Sequence, residues 1–336
     1  MFFINDRFGM RKVLAEYTKC NNLVIPGELQ HGYWHSQRWE QKRNSQTYFL
    51  KTFLWGGIFG EKMKLLSPSK FELIGDPFLY ELTKPMDLPI SKNNEIWLLY
   101  PQYSRSLSIE EREAKHRDFL QWVCVSGINN GGVSFHPNEE ISSKLKELYQ
   151  TRGFQILESL HVGDQNFFEA KRKEFLNCKG VITNYLGPHV FRATLLGKLA
   201  IIDNRIDLGA LTPEYHPVIK PFLMNKDGGL SGTSQLEIAH HELGLENLKS
   251  ANELRETFLT NGPTQLLLKI LQETKNIVAG IGSLAESSEL MTNPNLNSQW
   301  ECPHCYTKKL PVNYSNWSFL CQNCYRRFRL INKRYS

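Results

Sequence analysis

The chain of 336 residues has no apolar run approaching the ~20 residues that a membrane-spanning helix needs. It has no internal repeat and no low-complexity tract, which excludes solenoids and compositionally biased linkers. It has no Asp-x-Asp pair; Asp203 and Asp207, in DNRID, have the wrong spacing to hold a divalent cation. Its first residues, MFFINDRFGMRK, mix acid and base and contain no apolar h-region, so no signal peptide is expected. Cysteine is sparse, with seven in all, and Cys20, Cys124 and Cys178 are scattered. That pattern argues against a secreted disulfide framework and for a reducing, cytoplasmic setting. The excess of positive charge is small, at +6. It falls short of a dedicated nucleic-acid binder and also fits a polyanionic substrate or an acidic membrane surface.

What is present suits a globular protein. Hydrophobic residues make up 41% and charged residues 22%, and the length allows two ordinary domains plus an appendage. The most organised stretch is Gly180 to Asp203, GVITNYLGPHVFRATLLGKLAIID. Val181 and Ile182 end a short apolar run, and Tyr185, Leu186, Gly187 and Pro188 make a turn. Phe191, Thr194 and Leu195 then follow helical spacing. Pro188 suits a first helical turn and Gly197 a C-terminal cap. LAIID is a second buried strand. Strand, turn, helix and strand make the unit of a parallel α/β sheet. Its turn is either a plain crossover or a phosphate site at a helix N-terminus.

Elsewhere the pattern alternates in the same way. A helix is expected from Gly9 to Cys20, a strand at Leu23–Ile25 and a polar turn over Pro26 to Trp34. That turn holds His31 beside Gly32. A histidine at a strand's end is a candidate general base, and a structural loop residue is the alternative. Strands are expected at Thr47–Leu54 and Phe71–Ile74, with a short helix at Glu61–Leu66 between them. Tyr80 to Asn94 is the best linker candidate of the first half. A strand at Ile96–Tyr100 precedes a helix capped by Ser108 with Glu111 three residues on. A strand at Gly132–Phe135 ends in His136-Pro137, Asn138 is set to cap the next helix, and Phe154–Leu157 is another strand. Asn166 to Asn177 reads as a helix. Asn204 to Gly232 reads as loop, followed by helices at Glu253–Thr260 and Thr264–Ala279. The whole reads as α/β with a parallel sheet.

Near the C-terminus, Cys302-Pro-His-Cys305 and Cys321-Gln-Asn-Cys324 flank fifteen residues. Two such knuckles supply four thiolates in a tetrahedron, a closed structural Zn2+ site, with rubredoxin-like iron the alternative metal. A segment this short buries too little core to fold alone, so the metal would provide its folding energy. Lys308, Lys309, Arg326, Arg327, Arg329, Lys333 and Arg334 make it basic. It is either a docking element for an anionic partner or a solvated cap.

The ordered series of strand–QHG, Trp-Gly turn, Gly-Asp-Pro, Pro-Gln, His-Pro and TNYLG–helix–LLGK resembles glycosyltransferases of the GT-B architecture. It is similar to the CDP-glycerol glycerophosphotransferases and to the His-Pro-containing sialyltransferase and Kdo-transferase-like enzymes of bacterial capsules. The resemblance covers roughly residues 23–203. It implies that His31 is the catalytic base and that His136 and Pro137 contact the donor. It also implies that Tyr185, Leu186 and Gly187 form the phosphate-binding turn; Asn184 is taken with them as donor-binding, and without a metal motif the leaving phosphate's charge falls to helix N-termini, the His136 imidazole and Arg192. The glycerophosphotransferases have Thr-Asp-Tyr-Ser-Ser where this chain has Thr183-Asn184-Tyr185-Leu186-Gly187, which favours a sugar over a glycerol-phosphate donor.

The expected fold is therefore α/β, with two Rossmann-like domains of GT-B type plus a small C-terminal zinc ribbon. The expected boundaries are 1–85 for the acceptor domain, 86–282 for the donor domain, 283–299 for a linker and 300–336 for the ribbon. The implied activity is metal-independent transfer of a sugar from a nucleotide donor, with cytidine expected, to a polysaccharide or lipid-linked acceptor. The implied location is the cytoplasm or the inner face of a membrane. The alternatives are a nucleic-acid-binding protein that reads through the basic ribbon and an inactive GT-B scaffold.

Overall fold

A computed structural model describes residues 4–32, 51–85, 96–102, 107–136, 142–158, 160–206, 211, 213–223 and 232–260, with the strand segments 312–315, 318–320 and 327–329. The chain divides into two compact units, Met1–Pro263 and Thr264–Ser336. The first unit is α/β and holds two parallel sheets. Among the described residues no helix is long and apolar enough to cross a membrane.

The smaller sheet has the order β1-β2-β3, formed by Gly27–Leu29, Lys51–Leu54 and Phe71–Leu73. Its first strand lies four residues beyond the expected Leu23–Ile25. The reason is close approach: a Cβ on Gly27 would sit 2.0 Å from the Lys51 carbonyl oxygen, its partner in the register. Only glycine lets the two backbones meet there. Leu23 and Ile25 are buried by packing instead, while Val24 points to solvent. Helix α1 (Met10–Tyr17) precedes this sheet, and α2 (Gly57–Leu66) and α3 (Pro77–Leu82) follow β2 and β3. Helix α3 begins just before the expected linker and extends into it. Asp76 caps it by accepting from the Phe78 N–H, and Pro77 supplies the preset φ of the first turn.

The larger sheet has the order β6-β5-β4-β7-β8, all parallel. Its strands are β4 (Trp97–Tyr100), β5 (Gly131–Val133), β6 (Phe154–Ile156), β7 (Gly180–Thr183) and β8 (Leu199–Ile202). Helices α4 (Ile109–Val125), α5 (Ser143–Gln150), α6 (Phe167–Leu176) and α7 (Pro188–Leu195) cross between them. The capping box of Ser108 and Glu111 is formed at the start of α4. Helix α5 is capped by Ser142, whose hydroxyl accepts from the Leu145 N–H; the expected cap, Asn138, lies outside the described residues. The strand period of two divides the sheet's side chains between two cores. Leu98, Val181 and Ala200 join one that is continuous with Leu29, Phe53 and Trp55 of the smaller sheet. Leu99, Ile182 and Ile201 join the other, with Phe119, Val123 and Tyr149.

Helix α8 (Gly232–Leu243) begins where the stretch expected to be loop ends, in a segment for which no element was expected, and packs against α7 and α2. Helix α9 (Ala251–Thr260) follows it. The buried Glu242 brings its carboxylate to the start of α2, accepting from the Ile58 N–H at 3.4 Å. Gly57, at φ 62°, makes room, since a Cβ there would stand 2.5 Å from Glu242 Oε2. His241 lies between Glu242, 3.2 Å from Nδ1, and Glu61, 3.1 Å from Nε2. In the Thr264–Ser336 unit, strands β9 (Val312–Ser315), β10 (Ser318–Leu320) and β11 (Arg327–Arg329) form an antiparallel sheet in the order β11-β10-β9. The expected helix at 264–279 and the four ribbon cysteines lie outside the described residues.

Hydrogen bonding to Glu242 and the charges of Glu242 and Glu61 outweigh desolvation and raise the His241 pKa to about 9. A pKa above the ordinary 6.5 means that the clasp contributes fully below pH 6.5 and is lost as pH rises through 9. Screening of a half-exposed side chain limits its worth to on the order of 1 kcal/mol. Urea unfolding of wild type and His241→Gln should therefore differ at pH 6 and converge by about pH 10. A gap that is constant across that range would refute the assignment.

Candidate functional site

The chain enters the larger sheet at β4, moves outward to β5 and β6, and then returns to β7 on the other side of β4. That reversal makes a topological switch point outside the ends of β4 and β7, where open α/β sheets bind ligands. Two side chains tie these ends together. The Thr183 hydroxyl donates to the Tyr100 carbonyl at 2.7 Å, and Asn184 Oδ1 accepts from the Gln102 N–H at 2.7 Å. The turn Tyr185-Leu186-Gly187 then leads into α7. Leu186 is buried beneath it and Tyr185 is half-buried. Gly187 occupies the N-cap position and provides no side-chain acceptor; Pro188 has no N–H and the Val190 N–H donates to the Gly187 carbonyl at 3.1 Å, which leaves the His189 N–H as the first-turn amide for a ligand.

His189 stands in that first turn with 6% of its surface exposed. Its ring stacks on Tyr100, centroids 4.6 Å apart at 20°, and tilts against Tyr185 at 4.8 Å. Its Nε2 is buried and has no hydrogen-bond partner among the described residues. Burial, and then the charges of Lys171 and Arg192, push its pKa down to about 3. The imidazole is neutral at any ordinary pH.

A polar cluster lies next to it. Lys171, on α6, donates to Glu174 at 2.6 Å and to the Ser134 hydroxyl at 2.9 Å, and is 3.4 Å from the Tyr100 hydroxyl. The Tyr100 hydroxyl donates to Glu174 at 2.8 Å. Burial and the Glu174 charge hold the Tyr100 pKa well above its usual value. Strand ends β4 and β5 therefore share one buried polar network beside the α7 turn.

The expected donor residues are distributed as follows. Asn184, Tyr185, Leu186 and Gly187 lie together at the switch point. His136 is half-buried just past β5, two residues after Ser134. Pro137 lies outside the described residues. Arg192 is on α7, but its guanidinium is held by Asp76: Nε donates to Oδ2 at 2.7 Å and Nη2 to Oδ1 at 3.0 Å. The rings of Trp55, Phe78 and Phe168 surround it, at 5.2, 5.4 and 4.8 Å. That charge is engaged between the sheets. His31 stands past the end of β1, in the smaller sheet, with Nε2 3.1 Å from an Arg7 Nη. The guanidinium can only donate, so in this pairing the Nε2 lone pair accepts and the ring is neutral. Arg7 is exposed and can leave without breaking a core contact. Residue patterns missed His189, Tyr100, Lys171, Ser134 and Asp76. Asp76 before Pro77 carried a readable cap signal, whereas the others carried none.

No protein-family model and no curated protein matches the chain. Some solved structures do. The UDP complex of MnaA from S. aureus shares 13% identity at a TM-score of 0.33, covering 72% of this chain and 74% of that one. The UDP-GlcNAc 2-epimerase of Neisseria meningitidis, bound to UDP-GlcNAc, shares 11% at 0.34, covering 79% and 81%. A variant of S. aureus TarM, in complex with fondaparinux, α-GlcNAc-glycerol and UDP, shares 10% at 0.32, covering 73% and 50%. A likeness this distant fixes neither substrate nor reaction.

The Asp76–Arg192 pair is buried on both sides, so removing one partner strands a charge. Asp76→Ala should cost about 3–5 kcal/mol in denaturant unfolding. The double variant Asp76→Ala, Arg192→Met should recover part of that loss. A single-variant loss below about 1 kcal/mol would show that the pair is not a joint between the sheets.

Proposed function

We propose that the chain is a glycosyltransferase of GT-B type, moving a sugar from a nucleotide donor to a polysaccharide or lipid-linked acceptor. The observation that carries this reading is the switch point itself. A turn bridged by Thr183 and Asn184 presents an uncapped helix start to the crevice, beside a neutral imidazole and two cations. Cytidine is the proposed base of the donor, on the residue resemblance at His136-Pro137 and Thr183–Gly187. The division into an acceptor half, 1–85, and a donor half, 86–282, is part of the same proposal.

In this mechanism the acceptor hydroxyl oxygen attacks the anomeric carbon and the bond from that carbon to the donor phosphate breaks. The hydroxyl proton passes to His31, which requires Arg7 to move off the imidazole. The electron pair leaves with the nucleotide phosphate, whose charge is met by the α7 amides, Tyr185 and Gly187 at the turn, and His136. Arg192 acts here through Asp76, by holding α7 against the smaller sheet. Closure of the crevice keeps water from competing.

The C-terminal unit has a separate proposed role. Cys302, Cys305, Cys321 and Cys324 offer an all-thiolate set that suits structural zinc, and an antiparallel three-stranded sheet lies among them in sequence. Two of its basic residues, Arg327 and Arg329, fall on β11. They favour docking to an anionic surface, with nucleic acid as the second reading.

Thermal unfolding with CMP, CDP, UDP and GDP tests the first proposal. One nucleotide at 100 times its Kd should stabilise the protein by about 2.7 kcal/mol. His136→Ala should weaken that binding. His31→Ala should leave it intact while cutting transfer by roughly 10²- to 10⁴-fold. Indifference to all four nucleotides would end the proposal. Metal analysis of the purified chain should find one zinc per chain, lost in Cys302→Ser with Cys305→Ser; a metal-free wild type would refute the ribbon.

A further inference from the structure

Resting on the reading of the switch point as a nucleotide site, the geometry points to His189 as the side chain that binds the ligand there. Its Nε2–H donates to a phosphoryl oxygen seated at the start of α7, and Tyr185 is the ring that turns aside to admit that oxygen.

The first argument is the orphaned nitrogen. Leaving a buried polar atom unsatisfied costs stability, and a phenylalanine of similar shape would avoid that cost. Nε2 of His189 is such an atom, in a side chain that is 6% exposed. The second is position. His189 follows Pro188 in the first turn of α7, where the helix amides converge on an anion. A Cβ on Gly187 would lie 2.6 Å from His189 Cε1 and 2.9 Å from Nδ1, so the ring packs directly on the phosphate-type turn. The stack on Tyr100 fixes its plane.

The third argument is charge. Lys171 and Arg192 both bear on the ring and help hold it neutral, and each has its own carboxylate, Glu174 and Asp76. A neutral imidazole can offer one N–H beside these two ion pairs without adding an unpaired cation. An anion arriving there meets the helix start, the two neighbouring cations and that one N–H. Tyr185 lies against the ring at 4.8 Å and, unlike Tyr100, is only half-buried, which makes it the ring neighbour open to solvent.

The test uses the full chain labelled with ¹⁵N-histidine, with His189→Gln identifying the His189 signals. Titration with CDP, and separately with UDP, should shift the His189 Nε2 resonance. His189→Phe should keep the fold while weakening the bound nucleotide by roughly 10- to 100-fold. Binding that leaves the His189 resonance unmoved, or an unchanged Kd in His189→Phe, overturns this inference alone. Failure of both nucleotides to bind the wild type overturns it together with the nucleotide-site reading. If His189→Phe does not fold, the wild-type resonance decides by itself.

Discussion

The architecture depends on one buried ion pair. Asp76 follows the last strand of the smaller sheet and Arg192 is on the helix that follows β7. Taking both charges out of water is expensive, and the structure offsets that cost in three ways. The contact is bidentate, which adds direction to attraction. The Asp76 carboxylate also caps α3, so it accepts from a backbone N–H as well. The guanidinium also lies over aromatic rings from both parts of the fold, Trp55 and Phe78 from the smaller sheet's part and Phe168 from the larger sheet's. Lysine could not serve here, because its point charge neither forks nor stacks.

That joint has a chemical consequence. Arg192 begins its run toward Asp76 from the second turn of α7, one turn beyond His189. Lys171 approaches the same ring from α6, held by Glu174, Ser134 and Tyr100. Burial is the main reason that His189 stays neutral, and the groups that fasten the helices add to it with their charges. Structure and site are not separable at this point of the fold. A change made to loosen the joint also changes the electrostatics at the switch point.

How much of this was legible in the residues depends on the range of the interaction. The unit from β7 through α7 to β8 was readable because its signals are local: an apolar run, Pro188 at a helix start, Gly197 past its end. The capping box of α4 was readable for the same reason. The first strand was misplaced because Leu23-Val24-Ile25 has the composition of a strand, while the pairing is decided by Gly27 meeting the Lys51 backbone across the sheet. Helix α8 was missed because residues rich in turn formers precede it and its burial comes from α7. Arg192 was read as reaching a donor phosphate; its partner, 116 positions away in sequence, could not be seen from spacing. His189 gave no signal either, since a histidine in a helix is ordinary until its burial and its lone nitrogen are known.

The two sheets also answer why the phosphate belongs to the second. Each has a turn containing glycine that leads from a strand into a helix: Trp55-Gly56-Gly57 into α2, and Tyr185-Leu186-Gly187 into α7. By pattern alone either could cradle an anion. The first is already taken. Glu242 arrives from α8 and lays its carboxylate on the α2 start, with His241 and Glu61 behind it. An external phosphate there would meet a fixed negative charge in place of bare amides. On the second no carboxylate is laid among the described residues; its neighbours are a neutral imidazole and the ion pairs Lys171–Glu174 and Arg192–Asp76. Two glycine-containing strand-to-helix turns thus serve two ends, closure of the fold in one sheet and, among the described residues, a helix start without a carboxylate on it in the other. The choice between them is made by side chains that arrive from elsewhere in the chain.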